Sequence, residues 1–311
     1  MRTLTRNIYY DSRSTQFRLY CLTDIHLGAA ACDENLLRRY VRQIADDENA
    51  LWLCGGDTID AIARKGDKRY QEATLAPWLR GYDDAIGMQR DRLVDELSPI
   101  AAKCIGVVCG NHEDAALRFY DRNIYWEIVT SLAQKGGQEP QALALGVQGF
   151  VVLRFRRASG PEAERKYGGT RTLVLYTHHG YGFGRLPGGH ALALGRVLGD
   201  YACDLALLGH RHVTQLVSKA VVAPGKRTAR IEHRFAMFCG TFLGAYIEPS
   251  GDGRAVDTYP EHAGLPPSLL GTPTILVKPD EKTIQVVLSN GFAGASGMDV
   301  ALPYDAVAPA A

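Results

Sequence analysis

Five apolar segments of this chain break off into residues that can bind a metal ion or move a proton: LTDIH, CGGD, CGNHE, YTHHG and LGHRH. They supply Asp24 and His26, Asp57, Asn111 with His112, His178 with His179, and His210 with His212. Six of the nine histidines fall in these segments, a concentration that random surface placement would rarely produce. Carboxylate, amide oxygen and imidazole, with no thiolate among them, suit hard or borderline divalent ions such as Mn, Fe, Zn or Ni. The i, i+2 spacing of Asp24/His26 and of His210/His212 puts both members of each pair on one side of an extended chain. Each pair can then hold one ion or serve two neighbouring ions. Seven ligands shared by two ions, one carboxylate bridging, leave open positions for a water and a substrate oxygen. That is the two-metal hydrolytic arrangement.

Taken singly, the pieces have plainer explanations. A lone D-x-H is common, and a GD or GN pair after a strand is usually a turn. His190, His233 and His262 match no motif and read as surface or structurally satisfied histidines. The convergence carries the argument, because ligands in open α/β sheets gather outside the carboxyl ends of strands.

The elements that must position these residues alternate in the first half of the chain. Phe17 to Asp24 reads as a strand. A helix follows it, with Asp33 as its N-cap and Leu36, Leu37, Tyr40, Val41 and Ile44 at helical spacing. Ala50 to Asp57 is the next strand, and a charged loop leads to a helix from about Tyr82 to Leu97. KCIGVVCGN is the third strand, with one helix over AALRFYDRNIYWEIVTSLA after it. From about Gly146 two adjacent strands are expected, in VQGFVVLRFRRASG and GGTRTLVLYTHHG. A Gly-rich loop and a short helix (about His190 to Leu198) then precede CDLALLGHRH. HRFAMFCGTFLGAY, TPTILVKP and KTIQVVLSN are short strands separated by turn residues. This order predicts an α/β protein with two packed sheets flanked by helices. We expect one domain over residues 1–305, strand-rich at about 219–290, with a long loop near Gly251 to Pro267 and a loose tail at 306–311.

Composition agrees with a large folded domain: 311 residues, 46% hydrophobic and 22% charged. A net charge of +1 gives no support for a highly basic nucleic-acid binder. The opening MRTLTRNIYY lacks a secretory h-region, and no stretch approaches about 18 uncharged apolar residues, so no membrane span is expected. Seven scattered cysteines without a C-x-x-C pair fit a reducing cytoplasm. Oligomeric state has no signature in the sequence.

D-x-H, G-D, G-N-H-[DE], H and G-H-x-H, in this order from Asp24 to His212, resemble the calcineurin-like metallophosphoesterases. The resemblance implies a four-layer αββα sandwich with two mixed sheets and a dinuclear centre of two divalent ions. It places Asp24, His26, Asp57 and His212 on one metal. Asp57 as the bridge, Asn111, the THHG histidine and His210 fall on the other. His112 matches the family's non-ligand histidine, which contacts the phosphate and protonates the leaving group. THHG satisfies two patterns, with the ligand directly before the glycine or first of two histidines. His179 is preferred over His178, because HGYGFGR then reads as ligand, tight turn and Gly-rich loop. Ser/Thr protein phosphatases carry Y-V-D-R-G after the metal Asp and an Arg before G-N-H-E. GGDTIDAIA and VVCGNHE lack both, which points to the bacterial and phage-type members.

The expected reaction is hydrolysis of a phosphomonoester or phosphodiester. Two cations would bring a shared water to hydroxide near neutral pH, and His112 would donate to the leaving oxygen. Around this core the roles stay open. Asp60 is either an orienting partner of a ligand imidazole or an N-cap. Glu113 is either a partner of His112 or of the metal water, or a first-turn acid matched to the helix dipole. Arg185 in the Gly-rich loop is either a phosphate contact or part of a flexible lid, and Arg64 to Arg69 either steer an anion or are a solvated loop. A nuclease of the same superfamily is the alternative, mildly opposed by the near-neutral charge. A non-catalytic metal-binding scaffold ranks last, since no motif residue is missing.

Overall fold

Strands buried on both faces, β2 (Phe17–Leu22), β3 (Ala50–Cys54) and β4 (Cys104–Val108), run parallel at the heart of one sheet. Their near-continuous apolar character follows from cover on both sides. The computed structural model describes residues 1–62, 70, 72–159, 166–182, 184, 186–225, 227–245, 261, 264, 267–287 and 300–303. The first sheet has seven strands in the order β13-β12-β11-β2-β3-β4-β5. Its remaining members are β5 (Ala144–Gly146), β11 (Thr274–Lys278), β12 (Thr283–Val287) and β13 (Val300–Pro303). The second has six, in the order β1-β6-β7-β8-β10-β9. These are β1 (Arg2–Tyr10), β6 (Gln148–Ser159), β7 (Lys166–His178), β8 (Leu205–Leu208), β9 (Thr214–Pro224) and β10 (Ala229–Cys239). Both sheets mix parallel and antiparallel pairs.

The inner faces meet in one core, where Leu19, Cys21 and Leu53 pack with Val151, Leu173, Leu205 and Phe235. Helices α1 (Glu34–Asp46), α2 (Ala85–Leu97), α3 (Asn111–Tyr120) and α4 (Ile124–Gly136) cover the outer face of the seven-stranded sheet around Tyr20 and Trp52. A short α5 (Pro140–Leu143) leads into β5. Helix α6 (Pro187–Asp200) seals the other sheet by packing Leu194 and Leu198 against Tyr176, Ala206 and Phe238. The order of layers is thus helix, sheet, sheet, helix, as the resemblance implied.

Several boundaries differ from the sequence expectation, each for a local reason. The helix expected from Tyr82 starts at Ala85, because the Asp84 side chain accepts from Gly87 N–H and fixes the cap there. The single helix expected over Ala115–Ala133 is two helices. Asp121 adopts φ 53°, ending α3, and Asn123 caps α4 through Trp126 N–H. Helix α3 begins at Asn111 itself, so two motif residues lie in a helical first turn. The helix expected from His190 begins at Pro187, an imino acid suited to a first turn. Strands β1 and β9 were not foreseen. In β1 only Leu4 and Tyr10 are buried, and in β9 nothing is, so neither shows an apolar run. The C-terminal third extends both sheets: β11 to β13 continue from β2, and β10 lies beside β8. Most of the Gly251 to Pro267 loop and the 306–311 tail lie outside the described residues.

Candidate metal centre

The five motif-bearing strands β2, β3, β4, β7 and β8 run parallel within their sheets, so their carboxyl ends can meet at one edge of the sandwich. The chain then makes abrupt bends. Of eight non-glycine residues with positive φ among the described residues, five are Asp24 (51°), His26 (50°), Asp57 (48°), His210 (71°) and His212 (52°). This conformation is disfavoured for residues with a Cβ and persists where surrounding contacts impose it. The contacts are visible. Asp24 N–H donates to Gly56 O at 3.0 Å, His26 N–H to Asp57 O at 3.0 Å, and Gly209 N–H to His179 O at 2.8 Å. Thr241 Oγ1 and Phe242 N–H, just past β10, both donate to Asp24 O, at 2.9 and 3.0 Å. Gly110 has to be glycine, because a Cβ there would sit 2.1 Å from Asp57 N.

Within this frame the donor atoms form two groups. Asp24, His26 and His212 bring one ligand atom each to within 4.8 Å of one another, and so do Asp57, His179 and His210. His212 Nε2 lies 3.1 Å from Asp24 Oδ1 and 3.2 Å from His26 Nε2. Asn111 Oδ1 sits 2.8 Å from His210 Nδ1 and 3.1 Å from His179 Nε2. Asp57 stands between the groups: its Oδ2 is 3.0 Å from His179 Nε2 and 4.0 Å from His26 Nε2. Its other oxygen, Oδ1, accepts from His112 N–H at 2.9 Å. A third triad joins His26, Asp57 and His112.

Three ring nitrogens, of His179, His26 and His112, have partners outside the cluster. His179 Nδ1 donates to Gly55 O at 2.9 Å, and His26 Nδ1 faces Asp60 Oδ1 at 3.4 Å. His112 Nδ1 donates to Asp60 O at 2.5 Å, which directs its Nε2 away from that turn. Such outer partners fix the tautomer and point the remaining lone pair inward. Oxygen and imidazole donors converging this closely fit divalent cations, and few other ligands would satisfy so many lone pairs.

Glu113 is the first-turn acid of α3 that one expectation made it, and it does more besides. Buried to 2% exposure, it accepts from Asp57 N–H (3.0 Å), Thr58 N–H (2.7 Å), Thr58 Oγ1 (2.6 Å) and Gly110 N–H (3.0 Å). It pins the Asp57 turn to the start of α3. Glu113→Ala would strand these donors in a buried setting, with an expected loss of about 3 kcal/mol in denaturant unfolding. Glu113→Gln, which keeps an acceptor, should lose less.

Electrostatics follow from the crowding. Burial raises the Asp57 carboxyl, but the imidazoles of His112 and His179 outweigh it and hold it well below the usual range. Burial works to lower His179, yet the charge and hydrogen bond of Asp57 prevail and carry it to about 10. Burial lowers His26 and His210, so these two favour the neutral, ligating form. The His179 value lies above the ordinary 6.5. In chelator-stripped protein the pair therefore stabilises the fold fully below about pH 6.5 and stops doing so as pH rises through about 10. The melting temperature of EDTA-treated protein should fall across that window, and the fall should vanish in His179→Gln. Metal competes with the same proton, so its affinity should rise over the same range.

His178 is in none of the donor groups found among the described residues; its Nδ1 accepts from Gly180 N–H at 2.7 Å and its ring packs edge-on to Tyr181. His179, the first residue past the end of β7, instead directs Nδ1 to Gly55 O and Nε2 toward Asn111 and Asp57. Arg185, the whole Arg64 to Arg69 run and His262 lie outside the described residues. His190 is buried, with Nε2 donating to Gly184 O at 2.7 Å. Thr23, whose Oγ1 donates to Asp24 Oδ2 at 2.6 Å, and Thr241 were missed. A hydroxyl beside a motif carried no signal of its own in the sequence.

A four-layer α/β sandwich with carboxylates, an amide and imidazoles gathered at its strand ends defines a protein able to hold divalent metal. A family model for calcineurin-like phosphoesterases matches residues 17–214. The chain belongs to that family. Similar solved structures include a conserved uncharacterized protein from Streptococcus pneumoniae TIGR4, described as a predicted phosphoesterase. It shows 11% identity over 93% of this chain and 99% of that one, with a TM-score of 0.35. A single mutant of Vps29 from Entamoeba histolytica shows 12% identity over 93% and 100%, TM-score 0.36. A metallophosphoesterase from Sphaerobacter thermophilus shows 13% over 85% and 84%, TM-score 0.34. No curated protein matches the chain by sequence. Among the described residues, no helix is long and apolar enough to cross a membrane.

Proposed function

We propose that the chain is a metal-dependent phosphoesterase that hydrolyses a phosphomonoester or phosphodiester. Asp24, His26, Asp57 and His212 would hold one divalent ion, and Asp57, Asn111, His179 and His210 the other. The observation that carries this is the position of Asp57 Oδ2 between two donor groups while Oδ1 is taken by His112 N–H. Two ions held by these residues would supply charge for phosphoryl oxygens and would lower the pKa of water toward neutrality.

The chain's own residues do the rest. Glu113 fixes the turn that presents Asp57. Asn111 would contribute a neutral amide oxygen from the start of α3, beside His179 and His210. His112, anchored through Nδ1 to Asp60 O, keeps Nε2 for a proton or hydrogen bond to the leaving oxygen.

The test is turnover of p-nitrophenyl phosphate and bis(p-nitrophenyl) phosphate by protein reconstituted with Mn or Ni. Metal-dependent hydrolysis of at least one is expected, removed by chelation and restored by metal. Full metal loading with no hydrolysis of either ester would overturn the reading. Asp57-dependent degradation of DNA or RNA would narrow it to a polynucleotide diesterase.

A further inference from the structure

Gln89, on α2, belongs to none of the five motifs, yet it is fully buried and reaches the turn behind two of them. We propose that Gln89 is a positioning residue for His112, acting through the Asp60–Ala61 turn. The inference rests on the reading of His112 as donor to the leaving oxygen.

Ala61 takes the left-handed conformation, φ 50°, which a residue with a Cβ adopts only when something holds it. Ala61 N–H donates to Gln89 Oε1 at 2.9 Å. The preceding peptide is tied at its other end by Asp60 N–H to Leu27 O at 3.1 Å. A turn held at both ends presents Asp60 O to His112 Nδ1 and Asp60 Oδ1 to His26 Nδ1. Gln89 reaches this turn by passing Gly28, two residues after His26. A Cβ on Gly28 would lie 2.5 Å from Gln89 Cδ, and Gly28 has φ 105°, so glycine there makes way for the amide. One side chain thus packs on the loop of the first motif and fixes the turn that orients the third.

Packing alone does not account for it. Among the described residues, Gln89 Nε2 is buried without a hydrogen-bond partner, and burying an unsatisfied amide donor is unfavourable. Leu or Met would fill the volume without that cost. The oxygen has a task that only an acceptor performs.

The experiment compares Gln89→Met, which keeps bulk but removes the acceptor, with Gln89→Glu, which keeps an oxygen at the same reach. Both are assayed with an alkyl phosphate and a p-nitrophenyl phosphate of the same ester class, in wild-type and His112→Ala backgrounds, with metal content measured. Loss of metal dependence or of turnover in the wild type would be a failure of the functional reading, not of this one. We expect Gln89→Met to retain both metals and lose about tenfold to hundredfold in kcat on the alkyl ester, with KM little changed. The loss should be small on the nitrophenyl ester, whose leaving group needs little protonation, and absent when His112 is already Ala. Gln89→Glu should recover most of the rate. Equal losses on both esters, additivity with His112→Ala, or no loss at all would overturn the proposal. If Gln89→Met does not fold, Gln89→Glu and the imidazole 15N spectrum still decide. The spectrum of zinc-loaded protein should show His112 carrying a proton on Nδ1 in the wild type and Gln89→Glu, with Nε2 protonated as well in the donating imidazolium form, and a His112 that lacks the Nδ1 proton in either would sink it.

Discussion

Asp57→Asn is expected to lose at least about a thousandfold in kcat/KM, roughly 4 kcal/mol of transition-state stabilisation, together with most of its bound metal. The direction follows from one hydrogen bond. The position of Oδ1 faces His112 N–H, a donor, so the amide must place its oxygen there and its NH2 where Oδ2 now stands. That NH2 group would face His179 Nε2 and the inside of the cluster with no lone pair to offer. The substitution also removes the negative charge that opposes two cations. Metal analysis and kinetics on the same preparation check both halves. Unchanged metal content with normal turnover would exclude Asp57 from the centre.

His112→Ala is expected to separate catalysis from metal binding. Its ring is held from outside the two ligand groups, by Asp60 O, so its removal should leave both metals in place. General-acid assistance contributes on the order of a hundredfold or more when the leaving group is basic. The expected result is therefore a kcat loss of about a hundredfold on an alkyl ester and a much smaller one on a nitrophenyl ester. Loss of metal in this variant would instead make His112 a ligand, as its proximity to His26 and Asp57 allows.

The residues that the structure gathers into the candidate centre could be picked out because each sits where an apolar run stops, and sequence records such transitions well. Asp24, Asp57, Asn111, His210 and His212 needed only that signal and the order of the motifs. The supports were hidden, because their partners are distant in the chain. Glu113 read as a first-turn acid and does accept from Gly110 N–H there, yet its other hydrogen bonds run to Asp57 and Thr58, which are close only once β3 and β4 are side by side. The left-handed bends at five cluster residues also left no trace, since none is glycine. His178 and His179 shared one motif, and only the fold shows His178 Nδ1 turned to Gly180 N–H while His179 Nε2 lies beside Asn111 and Asp57. In the fold, the parallel strands were readable from their apolar cores. β1 and β9 were not, because strands exposed at sheet edges lack such a core.

The pair of bonds from Thr241 and Phe242 to Asp24 O has a consequence for biosynthesis. Asp24 leaves the ribosome early, but the bend that aims its carboxylate is completed by residues made much later, beyond β10. Contacts of such long sequence separation form late in folding. Metal uptake by the full centre should therefore follow synthesis of the C-terminal third, and nascent chains halted before Thr241 should hold metal weakly even when every motif has already emerged.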